Sequence, residues 1–242
     1  MLARAPDTYT GEQARVPAAW LAAAGACAAL LGLVACHAYA YAQEGDTAVL
    51  MGGQGEYYLA ALPVGWGQRT EGADALGHHG DWLPEGQSLA DWRDRITLQV
   101  VPELAGEQPL DFLDRMANLR AQTCAHMFAT EVESTSLNGF AVGLRVIACT
   151  RDKRTGTGEV IVMRALSGAR ALYVIQRVFR VAPFQAPAFP LSSEALDRAR
   201  AAIEFGFACQ RGSGGRPCPA EWRAVLDGLD PGRALTVFPA AP

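Results

Sequence analysis

Between Met127 and Val181 the chain repeats one pattern four times, a strand-length apolar run closed by a turn signal. The runs cover Met127 to Ser134, Phe140 to Cys149, Glu159 to Leu166 and Ala171 to Val181. Asn138-Gly139, Thr155-Gly156-Thr157-Gly158 and Gly168-Ala169 separate them, and each is a hairpin signal because such turns need residues that accept positive φ. Successive hairpins give an antiparallel meander. Upstream, Tyr57 to Leu62, closed by Pro63-Val64-Gly65-Trp66, and Ile96 to Val101 predict further strands, while Gly72, Gly77, Gly80, Pro84 and Gly86 predict a loop over 70–86. Pro109 opens a helix to about Thr123, with Asp111 favourable in its first turn and an apolar stripe of Phe112, Leu113, Met116, Ala117 and Leu119. After a connector holding Pro183, Pro187 and Pro190, Ser192 or Ser193 caps a helix to about Phe207, with Leu196, Ala199, Ile203 and Phe207 on one side. A short helix over Pro219–Asp227 follows. The expectation is one α+β domain over 56–227, an antiparallel sheet of meander plus N-terminal strands sandwiched by helices, with a flexible leader (43–55) and a tail (228–242).

Residues 1–42 point to export. Arg4 and Arg15 precede an uncharged run from Val16 to Ala35, and a short-side-chain region follows. Ala40-Tyr41-Ala42 is a signal-peptidase pattern that would release a chain beginning at Gln43. Leu33-Val34-Ala35-Cys36 is similar to a bacterial lipobox, which would make Cys36 an acylated first residue and a lipid anchor to the membrane. Left uncut, the run is also long enough to span a bilayer. Of six cysteines, Cys27 and Cys36 fall in this segment and an even set of four remains. Cys209 and Cys218 flank a Gly-rich loop and suit a local bridge, which leaves Cys124 for Cys149. A zinc site from the four thiolates is disfavoured by the lack of any C-x-x-C. The net charge of −4 gives no global pull toward nucleic acid.

Register places charges on the sheet. With Gly168-Ala169 as a two-residue loop, Ser167 faces Arg170, Arg164 faces Tyr173 and Val160 faces Arg177. Ile161, Met163, Ala165, Leu172, Val174 and Val178 then form the core face. Val142, Leu144, Val146 and Ala148 are assigned to that face too, which sends Arg145 to the side of Arg164, Tyr173 and Arg177. A three-residue loop, Leu137-Asn138-Gly139, puts Met127 opposite Cys149, turns Phe128, Thr130 and Val132 to the core, and adds Glu131 and Glu133 to the arginines, whereas a two-residue Asn138-Gly139 loop would reverse the faces of that strand. This non-core face reads as a cross-strand ion-pair ladder, or as a binding site in which Arg145, Arg164, Tyr173 and Arg177 meet an anionic or protein partner. The ladder is favoured because surface ion pairs need no function.

Other chemistry is thin. Cys124 and His126 are wrongly spaced to face each other on a helix. His78-His79 near Asp74 and Asp81 lack a third ligand at defined spacing. Gly156-Thr157-Gly158 lacks the lysine and following helix of a phosphate loop, and no serine sits in a nucleophile elbow. Trp66, Trp82 and Trp92, with Tyr57 and Tyr58, could line a ligand cleft but read better as core aromatics. No catalytic residue, metal or cofactor is expected.

The order strand, Pro-Val-Gly-Trp turn, helix, meander, helix over Tyr57–Cys209 resembles the PsbP/DcrB-like envelope domains. The resemblance implies a helix–sheet–helix sandwich and an accessory role, and transfers no functional residue. The expected function is that of an exported, non-enzymatic envelope protein that binds a protein partner or assists an assembly. The alternative is a periplasmic small-ligand binder or enzyme using the aromatic N-terminal strands.

Overall fold

The computed structural model describes residues 47–53, 55–74, 77–204, 206–212, 216–220, 226–229 and 234–238. The signal segment, Cys36 and most of the anticipated Pro219–Asp227 helix lie outside the described residues. Twelve strands and two α-helices are described, in the order β1 (Thr47–Gly53), β2 (Glu56–Leu62), β3 (Trp66–Asp74), β4 (Gly77–Pro84), β5 (Asp94–Val101), α1 (Pro109–Thr123), β6 (Met127–Ala129), β7 (Glu133–Leu137), β8 (Phe140–Cys149), β9 (Gly158–Ser167), β10 (Leu172–Val181), α2 (Ser193–Glu204), β11 (Gly206–Gln210) and β12 (Leu235–Phe238). The class is α+β with antiparallel sheets packed against helices, as the sequence pattern predicts.

The strands form two sheets. The large one runs β3-β4-β5-β10-β9-β8, with β6 and β7 both pairing the outer edge of β8, and the small one runs β11-β2-β1-β12. Two elements therefore come from segments expected to be irregular. The 43–55 leader contributes β1 and the 228–242 tail contributes β12, and the two pair with each other through Ala48↔Phe238 to Met51↔Leu235. Likewise the 70–86 segment is no loop, but most of the β3–β4 hairpin. Gly72, Gly77 and Gly80 stand within paired strands, where burial of Trp82 and Leu83 outweighs their weak strand preference.

Both faces of the large sheet are buried. On one, Phe112, Leu113 and Ala117 of α1 cover Ile147, Ile161, Met163, Ala165, Val174 and Val178. On the other, Met51, Tyr58 and Leu62 of the small sheet, with Ala199 and Ile203 of α2, cover Ile96, Leu98, Val142, Leu144, Val162 and Ile175. Full burial of such a side chain stabilises by about 1.5–3 kcal/mol, so covering both faces compensates for the many strands ordered. This is also why β8 to β10 read as near-continuous apolar runs. The small sheet's outer face holds Ala48, Leu50, Tyr57 and Leu59 with Cys209 and Leu226.

α1 begins with Pro109 at its first position and carries Arg120 in its last turn, as its dipole prefers. Leu119, anticipated in its apolar stripe, is exposed instead. α2 starts where Ser192 Oγ accepts the Ala195 N–H, and it stops before Phe207, which belongs to β11.

Turn lengths decide the register. The β9–β10 turn has four residues, with Ser167 opposite Leu172, so Arg164 faces Ile175 rather than Tyr173 and Arg177 faces Val162. That shift is an even number of residues and leaves the faces of both strands as expected. The β7–β8 turn has two residues, not three: Leu137 faces Phe140 across Asn138 and Gly139, both at positive φ. β6 nevertheless keeps Met127 opposite Cys149, because the anticipated single strand is broken over 130–132 and changes register there.

Candidate functional site

Polar side chains inside this sandwich fall into a few closed clusters. Arg164, on β9, is only 7% exposed. Its Nη1 donates to Tyr58 Oη at 2.7 Å, to the Glu204 carbonyl at 2.7 Å and to the Ile203 carbonyl at 3.2 Å. The two carbonyls end α2, so the guanidinium meets the negative end of a helix dipole. No carboxylate forms an ion pair with it among the described residues; its charge is met by those carbonyls and by the Tyr58 ring, 5.8 Å from Cζ. Burial pushes the Tyr58 phenol above its ordinary value, while Arg164 pulls it the other way.

Glu56, at the start of β2, is fully buried. Its carboxylate accepts the backbone N–H groups of Ala169 (2.8 Å) and Arg170 (3.1 Å) and the Tyr173 hydroxyl (3.1 Å). One side chain of the small sheet thereby clamps the β9–β10 turn of the large sheet. Gly168 makes room for it, since a Cβ there would collide with Glu56 Oε1 and lie 2.7 Å from the Ala171 carbonyl. Burial, then the Glu56 charge, raise the Tyr173 phenol far above the tyrosine range. Sequence reasoning missed Glu56, because an acidic residue at a strand's first position looks like a solvated end.

The four residues anticipated as one binding face are not brought together on a surface. Arg164, Tyr173 and Arg177 share a face, but α2 and the small sheet cover it. Arg177 lies beside them, paired bidentately with Asp94 (3.0 and 2.7 Å) and set over the rings of Trp66 and Phe179. Arg145 lies on the opposite face. β8 pairs with β9 so that Leu144 faces Arg164 and Arg145 faces Met163. Arg145 therefore points to α1, donating to Asp114 Oδ1 at 2.6 Å and to the Thr130 carbonyl at 2.8 Å. The expectation failed because apolar alternation in β8 identifies a core face only when one face is solvated. Glu133 does reach the Arg164 side, where it pairs with Arg200 of α2, and Glu131 is exposed in the link between β6 and β7.

The cysteines close as Cys124–Cys149 and Cys209–Cys218, with Cα separations of 5.5 and 4.7 Å. The first bridge ties the end of α1 to β8. Beside it Arg120 joins Glu159 (2.6 Å) and Asp152 (3.7 Å). Asp152 also accepts the Thr155 and Arg154 N–H groups, and these bonds, the one from Thr155 foremost, hold its carboxyl below the usual range. The 155–158 glycines thus serve an Asp-centred turn. Cys124 is oxidised, and His126 beside it is exposed. Asp81 binds the hydroxyls of Thr97 and Thr70. Among the described residues no group of His, Cys, Asp and Glu could hold a metal ion, and no helix is long and apolar enough to cross a membrane. Trp82, Trp92, Tyr57 and Tyr58 are buried, as core aromatics rather than cleft walls.

No protein-family model matches the chain, and no curated protein does. Solved structures are weakly similar to it, at low identity. LpqN of Mycobacterium tuberculosis, described as involved in cell envelope biogenesis, is 12% identical over 64% of this chain and 85% of its own, with a TM-score of 0.38. The Ran-binding protein Mog1p of Saccharomyces cerevisiae is 13% identical over 70% and 84%, with a TM-score of 0.35. PA94 of Pseudomonas aeruginosa is 10% identical over 72% and 92%, also with a TM-score of 0.35.

Proposed function

We propose that this is an exported protein of the cell envelope that acts by binding, assisting a protein partner or assembly, and not by catalysis. Supporting this most directly is the pairing of all four cysteines outside the N-terminal segment into two disulfides, the state expected of an oxidising compartment. The Arg4–Ala42 segment supplies the export signal, with cleavage before Gln43 or acylation of Cys36 as its two outcomes. The PsbP/DcrB-like order of elements agrees with an accessory role. The buried and half-buried ionisable groups named above are committed to structure: Glu56 holds a turn, Arg164 ends a helix, and Arg145, Arg177 and Arg120 are matched to acids. A general acid or base needs a partly free group aimed at a substrate space.

Intact-mass analysis of the protein recovered from the cell envelope tests the reading. A start at Gln43, or an acylated start at Cys36, is the expected result. Retention of Met1 in a protein recovered from the cytosol with reduced thiols would overturn it.

A further inference from the structure

Charge and exposed apolar surface are unevenly distributed along the large sheet. One end gathers the β2–β3 turn (63–65), the β4–β5 loop (85–93), the β8–β9 turn (150–157) and the connector that leaves β10 (182–192). Pairing fixes this grouping: Trp66 faces Pro84, Phe179 faces Asp94, Arg180 faces Glu159, and Phe184 N–H donates to the Thr150 carbonyl. Five cations lie here, Arg93, Arg151, Lys153, Arg154 and Arg180, and none forms an ion pair among the described residues. Among the described residues Lys153 Nζ donates to the Gln122 carbonyl alone, and Arg180 rests over the Trp92 ring at 4.0 Å. Of the acids at this end, Asp94, Asp152 and Glu159 are engaged by Arg177 and Arg120, which leaves exposed Glu85 and Asp91. An acidic chain of net charge −4 thus presents one basic end.

The same end carries exposed apolar side chains. Val64 is in its first turn, Leu89 in the β4–β5 loop, Phe128 on β6 beside Cys149 and Phe189 in the connector, at 64, 47, 45 and 44% exposure. Exposed apolar residues among unpaired cations, spread over four separate segments, fit a broad anionic surface with an apolar interior better than a single small anion. The chain's own entry point agrees. Thr47 pairs with Leu62, the residue just before the 63–65 turn, so the described chain begins at this end. Cys36 lies eleven residues earlier in the sequence, a reach of at most about 40 Å when fully extended.

We infer that this end of the sheet is a membrane-docking surface that binds the phosphate groups of anionic lipids, with Val64, Leu89, Phe128 and Phe189 entering the headgroup layer. The inference rests on the envelope reading and adds an orientation to it: the Glu56 and β9–β10 turn end faces away from the bilayer, free for a partner.

Hydroxyl-radical footprinting tests it on the full chain, incorporated into vesicles of phosphatidylcholine alone or of phosphatidylcholine with phosphatidylglycerol. Labelling of Val64, Leu89, Phe128 and Phe189 should fall in the phosphatidylglycerol vesicles only, while Leu110, at the start of α1 near the opposite end, stays equally labelled. The protection should be lost at high salt and in an Arg151→Glu/Arg154→Glu variant. Both substitutions are in an exposed turn, and circular dichroism checks that the variant is folded. Equal labelling in the two vesicles, or protection at Leu110 instead, would overturn the inference and leave the end to a protein partner. The envelope reading falls separately, by the intact-mass result.

Discussion

Replacing Arg164 by alanine removes the donor that closes α2 onto β9. The loss comprises two short charged hydrogen bonds, to Tyr58 Oη and the Glu204 carbonyl at 2.7 Å each, and a longer one to the Ile203 carbonyl. A hydrogen bond to a charged group contributes about 1.5–3 kcal/mol, and the cation at a helix C-terminus adds up to about 2 kcal/mol. Against this stands relief from burying a guanidinium, whose cost is several kcal/mol, so the net loss comes to about 3–4 kcal/mol. With folding free energies of about 5–15 kcal/mol, that is a large fraction of the total. Urea unfolding should show a lower midpoint at unchanged slope, and Tm should fall by about 6–16 °C. Arg164→Lys should recover part of the loss, because an ammonium still meets the helix end but cannot span all three acceptors. Exposed Arg93→Ala should stay within about 0.5 kcal/mol of wild type. A loss below about 1 kcal/mol for Arg164→Ala, or unchanged stability with a lost binding activity, would refute the structural assignment.

The Glu56 clamp predicts a coupled pair: Gly168→Ala should destabilise by about 1–3 kcal/mol through collision with the carboxylate, and Glu56→Ala should reduce that penalty when combined with it, which a double-mutant cycle on unfolding curves reads directly. Additive effects would mean the two residues do not touch. Removing the Cys209–Cys218 bridge as a double serine variant should cost about 2–3 kcal/mol for a loop this short, measured by thermal unfolding without reductant. Tyr58 and Tyr173 have folded pKa values above their unfolded ones, chiefly through burial, so their contribution is fully present below about pH 10 and is lost as pH rises beyond it. Stability followed through the alkaline range should decline there, less steeply in Tyr173→Phe; an identical slope in that variant would contradict the assignment.

The meander and both helices were legible because they rest on local signals: Asn138-Gly139, the Gly-rich turns, Pro109, and apolar runs of strand length. Faces were legible only in the β9–β10 hairpin, since the β7–β8 turn is one residue shorter than expected and reverses the parity of β7. For β9 and β10 an even error in turn length left the side chains where they were expected. For β8 no local signal links its parity to that of β9 when both sheet faces are buried, so apolar alternation alone assigns Arg145 to the wrong side. β1 and β12 carry no local strand signal, because they gain stability by pairing across most of the chain length, a non-local contact that no window of sequence contains. Glu56 was missed for the same reason: its partners lie more than a hundred residues away, in a turn whose N–H groups carry no sequence signature. Cysteine spacing, in contrast, suggested both covalent links that the structure forms.

Export into an oxidising compartment, with the fold closed by two covalent links, is tested most directly by non-reducing peptide mapping of the protein isolated from its native cells with thiols blocked at lysis. The account predicts linked peptides joining Cys124 to Cys149 and Cys209 to Cys218, with no blocked thiol at any of the four positions. Blocked thiols at all four, or cross-linking between the two pairs, would contradict it.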